Sequence, residues 1–358
     1  MWITTVLALC LLEMGNIAEA YGPYGVTLMN SLLANYHSGV RPRMNSSDAV
    51  NVNVTWTISV LREVNEKESM ITMLIDIKSV WMDDFLTWNP QHYGNVSRLV
   101  FSGSQIWSPR LFVANKLGGN FLSKGFTEEY LEVTSQGKVT AKHTDEAKVL
   151  ISFDTKLFPF DSQDCRAILQ VSGYKATEVY LDHIQLQFSS FVESPLWVIS
   201  NSGTRFFPYS NSQILSIDLT LRRKPLYYIF TMFGPSLILS ILLLVAFFLP
   251  SDNGEKIMCG TTIFLSYVVF LSQLSNMLPE DSNNVPNIGV YYILLMISSA
   301  VMVASSIVVN FLRSKQDSDR FCFVRKRQDF LQKCLNSTCF VMALSCTIVA
   351  FTLVYLKS

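Results

Sequence analysis

Glu255 and Lys256 are the last charged residues before Ile257–Leu278, a membrane-length segment that carries no Asp, Glu, Lys or Arg. The segment is not uniformly apolar, because Ser, Thr, Gln and Asn recur along it. Such a helix is poor lipid-facing material and good lining for a water-filled conduit shared by several copies. Met258, Thr262, Leu265, Val269, Ser272 and Asn276 step by four, three, four, three and four, which places them on one helical face. Leu265 and Val269 in that stripe would form adjacent apolar rings, and a narrow apolar constriction stops ions by dewetting. Glu255 at the foot would give each copy one negative charge at the mouth, which attracts cations. Like charges in a ring raise one another's pKa, so partial ionisation is expected there. Lys256 would point away from the axis, and Met258 would narrow the same end. The competing readings are a surface Glu-Lys turn and a Leu265–Val269 face packed on neighbouring helices.

Elements able to hold such a stripe are visible around it. The chain is 49% hydrophobic, with a mean hydropathy of +0.28. Its apolar residues gather in Leu226–Leu249, Ile257–Leu278, Ile288–Leu312 and Cys334–Leu356, each uncharged and long enough to span a bilayer core. The reading is therefore a transmembrane four-helix domain over 225–358, with spans near 226–249, 257–278, 288–312 and 334–356. The loop 313–333 carries Arg313, Lys315, Arg320, Arg325, Lys326 and Arg327, which puts it on the cytoplasmic side and both termini outside. Ile3–Leu12 followed by Ala18-Glu19-Ala20 reads as a secretory signal over 1–20, although a basic n-region is missing. Residues 21–224 then lie outside the cell, where Asn45, Asn53 and Asn95 head glycosylation sequons. The formal net charge is zero, so no nucleic-acid partner is implied.

The extracellular half has a short amphipathic stretch (Leu28, Leu32, Leu33, Tyr36) and then alternates with period two. Val50, Val52, Val54, Trp56, Ile58 and Val60 show it first; Met70–Trp81, Val149–Phe153, Val179–Phe188 and Ile214–Leu221 repeat it. Turn residues such as Asn89-Pro90 and Ser202-Gly203 separate the runs. Short strands with little helix argue an immunoglobulin-like β-sandwich. Arg222-Arg223-Lys224-Pro225 runs straight into the first span, so motion of the sandwich would reach the membrane directly. Of the seven cysteines, only Cys165 falls in this domain, so no disulfide framework supports it. No cofactor, no metal site and no catalytic constellation is indicated, because Gly-x-Ser-x-Gly, His-Glu-x-x-His and a phosphate loop are all lacking.

The order of these parts resembles a subunit of the pentameric ligand-gated ion channels (Cys-loop receptors), over nearly the whole chain after the signal. Tyr36–Pro42 resembles the family's segment after its first helix, and Trp81-Met82-Asp83-Asp84-Phe85-Leu86-Thr87-Trp88 its Trp-x-Asp-x-x-Leu-x-Trp signature. Phe158-Pro159-Phe160-Asp161-Ser162-Gln163-Asp164-Cys165 resembles the end of the signature loop. Gly254-Glu255-Lys256 with Leu265, Val269 and Pro279 resembles the pore helix of the cation-selective acetylcholine and serotonin branch. The loop should open with a cysteine, but the position is Ile151, and Arg110 stands where Asp is usual.

The resemblance implies five copies, the same or homologous, around an axis in the plasma membrane. It implies gating by an unknown small extracellular ligand between subunits, and contact with membrane lipids and permeant cations. Coupling to the gate is implied for Glu66 with Arg223, a pair expected at a wet boundary and worth little stability. The loop Phe158, Pro159, Phe160 and Asp161 should rest on the link from Pro279 to Pro286. The aromatic ligand box looks depleted: Ser172, Asp76 and Ala114 occupy positions where aromatic residues are usual. Tyr174, Phe206, Phe207 and Tyr209 remain as ligand contacts, and Asp76 could pair with an amine. Two alternatives stay open, an anion-selective channel and a non-conducting or obligately heteromeric scaffold or binding subunit.

Overall fold

The computed structural model describes residues 22–118, 130–192, 194–209, 212–249, 254–281 and 284–314, and a few helical positions between 337 and 349. The expected signal at 1–20, the loop 315–333 and Cys10, Cys322, Cys334, Cys339 and Cys346 lie outside the described residues.

A first helix, α1 (22–33), buries Leu28 and lays Met29, Leu32 and Leu33 on the sandwich core. Among the described residues ten strands follow: β1 Val50–Asn65, β2 Met70–Thr87, β3 Arg98–Ser102, β4 Leu111–Val113, β5 Tyr130–Thr134, β6 Gln136–Leu150, β7 Ser162–Val171, β8 Val179–Val192, β9 Trp197–Tyr209 and β10 Ser212–Arg223. One sheet has the order β3-β5-β6-β2-β1-β8, the other β4-β7-β10-β9. Alternation drives this arrangement. Val50, Val52, Val54, Trp56 and Ile58 are buried while their neighbours face outward, and facing strands do the same. Trp56, Trp81 and Trp107 fill the centre. β1 pairs antiparallel with β2 but parallel with β8. β6 ends at Leu150 rather than running to Phe153, because the chain turns there into the signature loop.

The chain then forms α2 (Leu226–Ala246), α3 (Glu255–Met277) and α4 (Asn287–Ser314). Among the described residues these three are long and apolar enough to cross a membrane. Only 22–39% of their apolar windows is buried within the chain, so most of that surface needs lipid or other protein. α2 is π-helical over Ile229–Phe233, just before Pro235, whose ring removes a backbone donor. Hydroxyl groups from the other helices serve this stretch: Tyr292 donates to the Met232 carbonyl, and Tyr267 to that of Ser236. Gly260 lets α3 approach α4, since a Cβ there would lie 2.6 Å from Val303 Cγ2. Of the expected fourth span, Ser337, Phe340, Val341, Leu344, Ser345, Ile348 and Val349 are described and helical, and Phe340 packs edge-on to Phe247 and Phe248.

Candidate functional site

Where the sandwich meets the helices, three distant segments converge on Arg223, the last residue of β10. Its Nε and Nη2 donate to the two carboxylate oxygens of Asp161 at 2.7 and 2.9 Å. Its Nη1 donates to Glu66 Oε1 at 2.6 Å and to the Tyr228 hydroxyl at 3.1 Å. The guanidinium also stacks 4.2 Å from the Trp197 ring centroid and 4.8 Å from that of Phe158. This corrects the expectation of a wet pair. The Arg223 side chain is 0% exposed, Asp161 2% and Glu66 9%. Trp197 and Phe158, far away in sequence, exclude the water. Asp161 is the bidentate partner and Glu66 the second. Burial raises the Glu66 pKa above the ordinary carboxylate range and outweighs the opposing pull of Arg223. That balance is understandable, because one cation is shared between two carboxylates. Arg223 itself is held firmly in its charged form by Asp161 and Glu66, against the opposing effect of burial.

The loop from Ile151 to Cys165 closes without a disulfide. Ile151 packs against the sandwich core, and its N–H donates to the Ser69 carbonyl at 3.0 Å. The buried Gln163 amide takes over the closing role. Its Oε1 accepts from the Asp154 N–H and its Nε2 donates to the Asp154 carbonyl, both at 2.8 Å, and Nε2 also reaches Asp161 Oδ2 at 2.5 Å. Cys165 is a free, buried thiol whose pKa burial pushes up to about 12, so it is not a reactive thiolate. Gln163 was not singled out in the sequence; its place inside a loop that lacks its first cysteine is the signal that could have found it.

The loop tip docks on the helices. Phe158 joins the core of the helical domain and lies 4.9 Å from the Tyr228 ring, while Phe160 lies 6.4 Å from Phe233; Pro159 between them follows a cis peptide bond. The Thr155 hydroxyl donates to the Asn284 carbonyl at 2.9 Å, and the Asn287 N–H donates to the Lys156 carbonyl at 3.1 Å. These bonds flank Pro286 just before α4, so Thr155 and Lys156 meet the α3–α4 link, whereas Phe158 and Phe160, expected on that link, lie against Tyr228 and Phe233 of α2, and Asp161 holds Arg223.

On α3, the whole stripe of Met258, Thr262, Leu265, Val269, Ser272 and Asn276 is exposed, as is Glu255. Lys256, Gly260, Ile263, Tyr267 and Leu274 are buried on the opposite face against α2 and α4. Lys256 turns inward and donates to the Phe247 carbonyl at the end of α2 at 3.0 Å, which fixes the neighbouring Glu255 on the outside. The stripe thus lies within the side of α3 that the other described helices leave uncovered, a side that also carries Thr261, Phe264, Val268, Gln273 and Ser275.

The candidate ligand residues do not form one box within the chain. The Tyr174 hydroxyl accepts the Trp107 indole N–H at 3.0 Å, and the two rings meet edge-on. Asp76 stands on the outer face of β2, where Ser59 donates to it at 2.9 Å and Thr144 at 2.5 Å. Ser172 is half-buried just past β7, and its N–H donates to the Arg110 carbonyl at 2.8 Å; the Arg at 110 leaves that backbone bond in place. Phe206 and Phe207 are adjacent on β9, so they point to opposite faces, and Phe207 lies against Arg166. Tyr209 closes β9, and its side chain lies outside the described set. Asn45, Asn53 and Asn95 are all exposed.

Comparison with known proteins agrees with this geometry. The family described as "Neurotransmitter-gated ion-channel ligand binding domain" matches residues 26–225, and "Neurotransmitter-gated ion-channel transmembrane region" matches residues 232–347. The chain is 31% identical to the neuronal acetylcholine receptor subunit beta-3 of Rattus norvegicus over 79% of its own length and 62% of that protein. It is 31% identical to the acetylcholine receptor subunit alpha-like of Manduca sexta (81% and 59%) and 28% identical to the 5-hydroxytryptamine receptor 3A of Cavia porcellus (81% and 61%). The chain thus spans 59–62% of the length of these relatives. With both the sandwich and the helices matched, the chain belongs to the neurotransmitter-gated ion-channel family, the Cys-loop receptors.

Proposed function

We propose that five subunits of this kind surround a cation-conducting pore lined by α3 and opened by an extracellular ligand. The observation that carries the proposal is the exposed stripe on α3, with Glu255 outward at its foot and the opposite face packed inside the chain. Five such faces turned toward one axis give polar rings at Thr262, Ser272 and Asn276, an apolar gate at Leu265 and Val269, and an acidic cytoplasmic mouth. Ligand-driven motion of the sandwich reaches the gate through Arg223 and the loop seated on the α3–α4 link. A rigid buried cluster transmits displacement because it has no slack for water to fill.

The ligand is an amine by similarity to relatives named for acetylcholine and 5-hydroxytryptamine, and it sits between subunits. Asp76 and Ser172 replace aromatic residues there, which favours a primary over a quaternary amine. The commitment of Asp76 to two hydroxyls and of Tyr174 to Trp107 favours a second reading, a subunit whose site is completed by a different partner subunit. Expression of the chain alone with Leu265→Thr, which wets the gate, tests both. Spontaneous current that follows the sodium gradient, and loses cation preference in Glu255→Gln, supports the pore. Surface oligomers without current favour the partner-dependent subunit, and a chloride reversal potential contradicts the cation assignment.

A further inference from the structure

On the outer face of the four-stranded sheet, β7, β10 and β9 set Arg166, Asp218 and Arg205 side by side. Arg166 Nε donates to Asp218 Oδ1 at 2.7 Å, and Arg205 Nε lies 2.6 Å from Asp218 Oδ2. Both contacts run through Nε. Asp218 therefore aligns two guanidinium groups while leaving their terminal amino groups unengaged by any hydrogen bond or ion pair among the described residues. The arginine side chains are 49% and 61% exposed. Their row carries two positive charges and one negative. The nearby Asp164 is occupied by the Thr220 hydroxyl at 2.9 Å.

The surface here is concave. Gly203 pairs with Asp218 across the sheet, and a Cβ at Gly203 would meet nothing within 4 Å, so β9 leaves a notch beside the arginines. The groove measures about 730 Å³ and its edge includes Asn201 and Thr220, which pair across β9 and β10. Phe207 lies 5.8 Å from the Arg166 guanidinium and gives it an apolar side.

We propose that this groove binds the carboxylate of a small extracellular molecule. A planar guanidinium with two free amino groups matches a carboxylate in geometry and charge, and here two are held at a fixed spacing before any ligand arrives. Exposed ion pairs contribute little to stability, so a row that served only to brace the sheet would gain little from two exposed arginines around one acid. A bound carboxylate would bridge Arg205 on β9 to Arg166 on β7 across β10. It would thereby stiffen the β9–β10 flap that carries Phe206 and Tyr209, which makes it a modulator of whatever the flap closes over.

The test uses the purified full chain in lipid nanodiscs, with sodium acetate as probe and sodium chloride at equal ionic strength as reference. Saturation-transfer NMR reads binding, and hydrogen exchange reads the β9 amides from Ser202 to Phe207; neither depends on whether the chain conducts ions. Saturable acetate binding and slower β9 exchange are expected, each lost or weakened about tenfold in Arg166→Gln and in Arg205→Gln. Arg205→Lys, which keeps the charge but not the fork, should bind more weakly than wild type. Melting curves confirm that each variant is folded. Acetate binding unchanged by both Gln variants, or absent from folded wild type, overturns the proposal and leaves the row as a brace. Binding seen only with dissociated subunits overturns it too, because an acidic side chain of a neighbouring chain then fills the fork.

Discussion

Asp161→Asn and Glu66→Gln remove one negative charge each from the same arginine, yet the geometry makes their costs unequal. Asp161 accepts two parallel bonds from Arg223 and a third from Gln163, all in a site closed to water. Asparagine can replace only one of its oxygens and presents an N–H₂ to donors that are already there. Breaking one partner of a buried ion pair in this way costs about 3–5 kcal/mol. Glutamine at 66 still offers an oxygen to Arg223 Nη1 and no longer needs a charge to be buried, so its cost is about 1 kcal/mol. For a domain of this size those figures correspond to losses of roughly 6–20 °C and roughly 2–4 °C in apparent melting temperature. Fluorescence-detected size-exclusion melting of the full chain in detergent reads the order even where unfolding is irreversible. The pH dependence follows from the direction of the Glu66 shift. A carboxyl whose pKa is raised on folding contributes stability that is fully present below its unfolded pKa and is lost as pH rises through its folded pKa. Wild type should therefore lose stability relative to Glu66→Gln as pH climbs from the acidic side through that window. A Glu66→Gln loss equal to or larger than that of Asp161→Asn would refute the assignment of Asp161 as the main anchor.

Other perturbations separate the remaining contacts. Gln163→Leu removes two part-buried hydrogen bonds to the Asp154 backbone, each worth about 0.5–1.5 kcal/mol, and should cost about 1–3 kcal/mol, whereas Cys165→Ser should cost less, since its thiol makes only a 3.6 Å contact to the Gln163 carbonyl; the same melting assay ranks them. Gly260→Ala drives a methyl to 2.6 Å from Val303 Cγ2 and 2.7 Å from Met302 Cε, so it should destabilise the α3–α4 contact by about 1–3 kcal/mol and lower the yield of assembled oligomer on size exclusion. Met258→Thr should raise single-channel conductance by removing a ring of thioether side chains from the cytoplasmic end; unchanged conductance would mean that Met258 does not constrict the pathway.

The parts of this architecture set by periodicity were legible in the sequence. The alternation from Val50 to Ile58 corresponds to the buried face of β1, but a bulge after Ile58 moves the inward position from the expected Val60 to Leu61; the four-three spacing from Met258 to Asn276 falls on the exposed side of α3. Lys256 was expected to turn from that face, and it does, into a cap on α2. What stayed hidden depends on atoms brought together from far apart. The dryness around Arg223 comes from Trp197 and Phe158, and a matched Glu66 and Arg223 in the sequence say nothing about such neighbours. Gln163 bonds to backbone atoms, which leave no residue-type signature. The Arg166–Asp218–Arg205 row exists only once β7, β10 and β9 are in register. Tyr174 and Phe207 were grouped by their aromatic type, but Trp107 engages one and Arg166 the other.

Cysteine scanning of α3 tests the central claim most directly. Single cysteines at Thr262, Leu265, Val269 and Ser272 in the assembled oligomer should react with a charged, membrane-impermeant thiol reagent, while those at Ile263, Tyr267 and Leu274 should not. Reaction at both sets alike, or protection of the first set in a correctly assembled oligomer, would contradict a water-filled passage along this face.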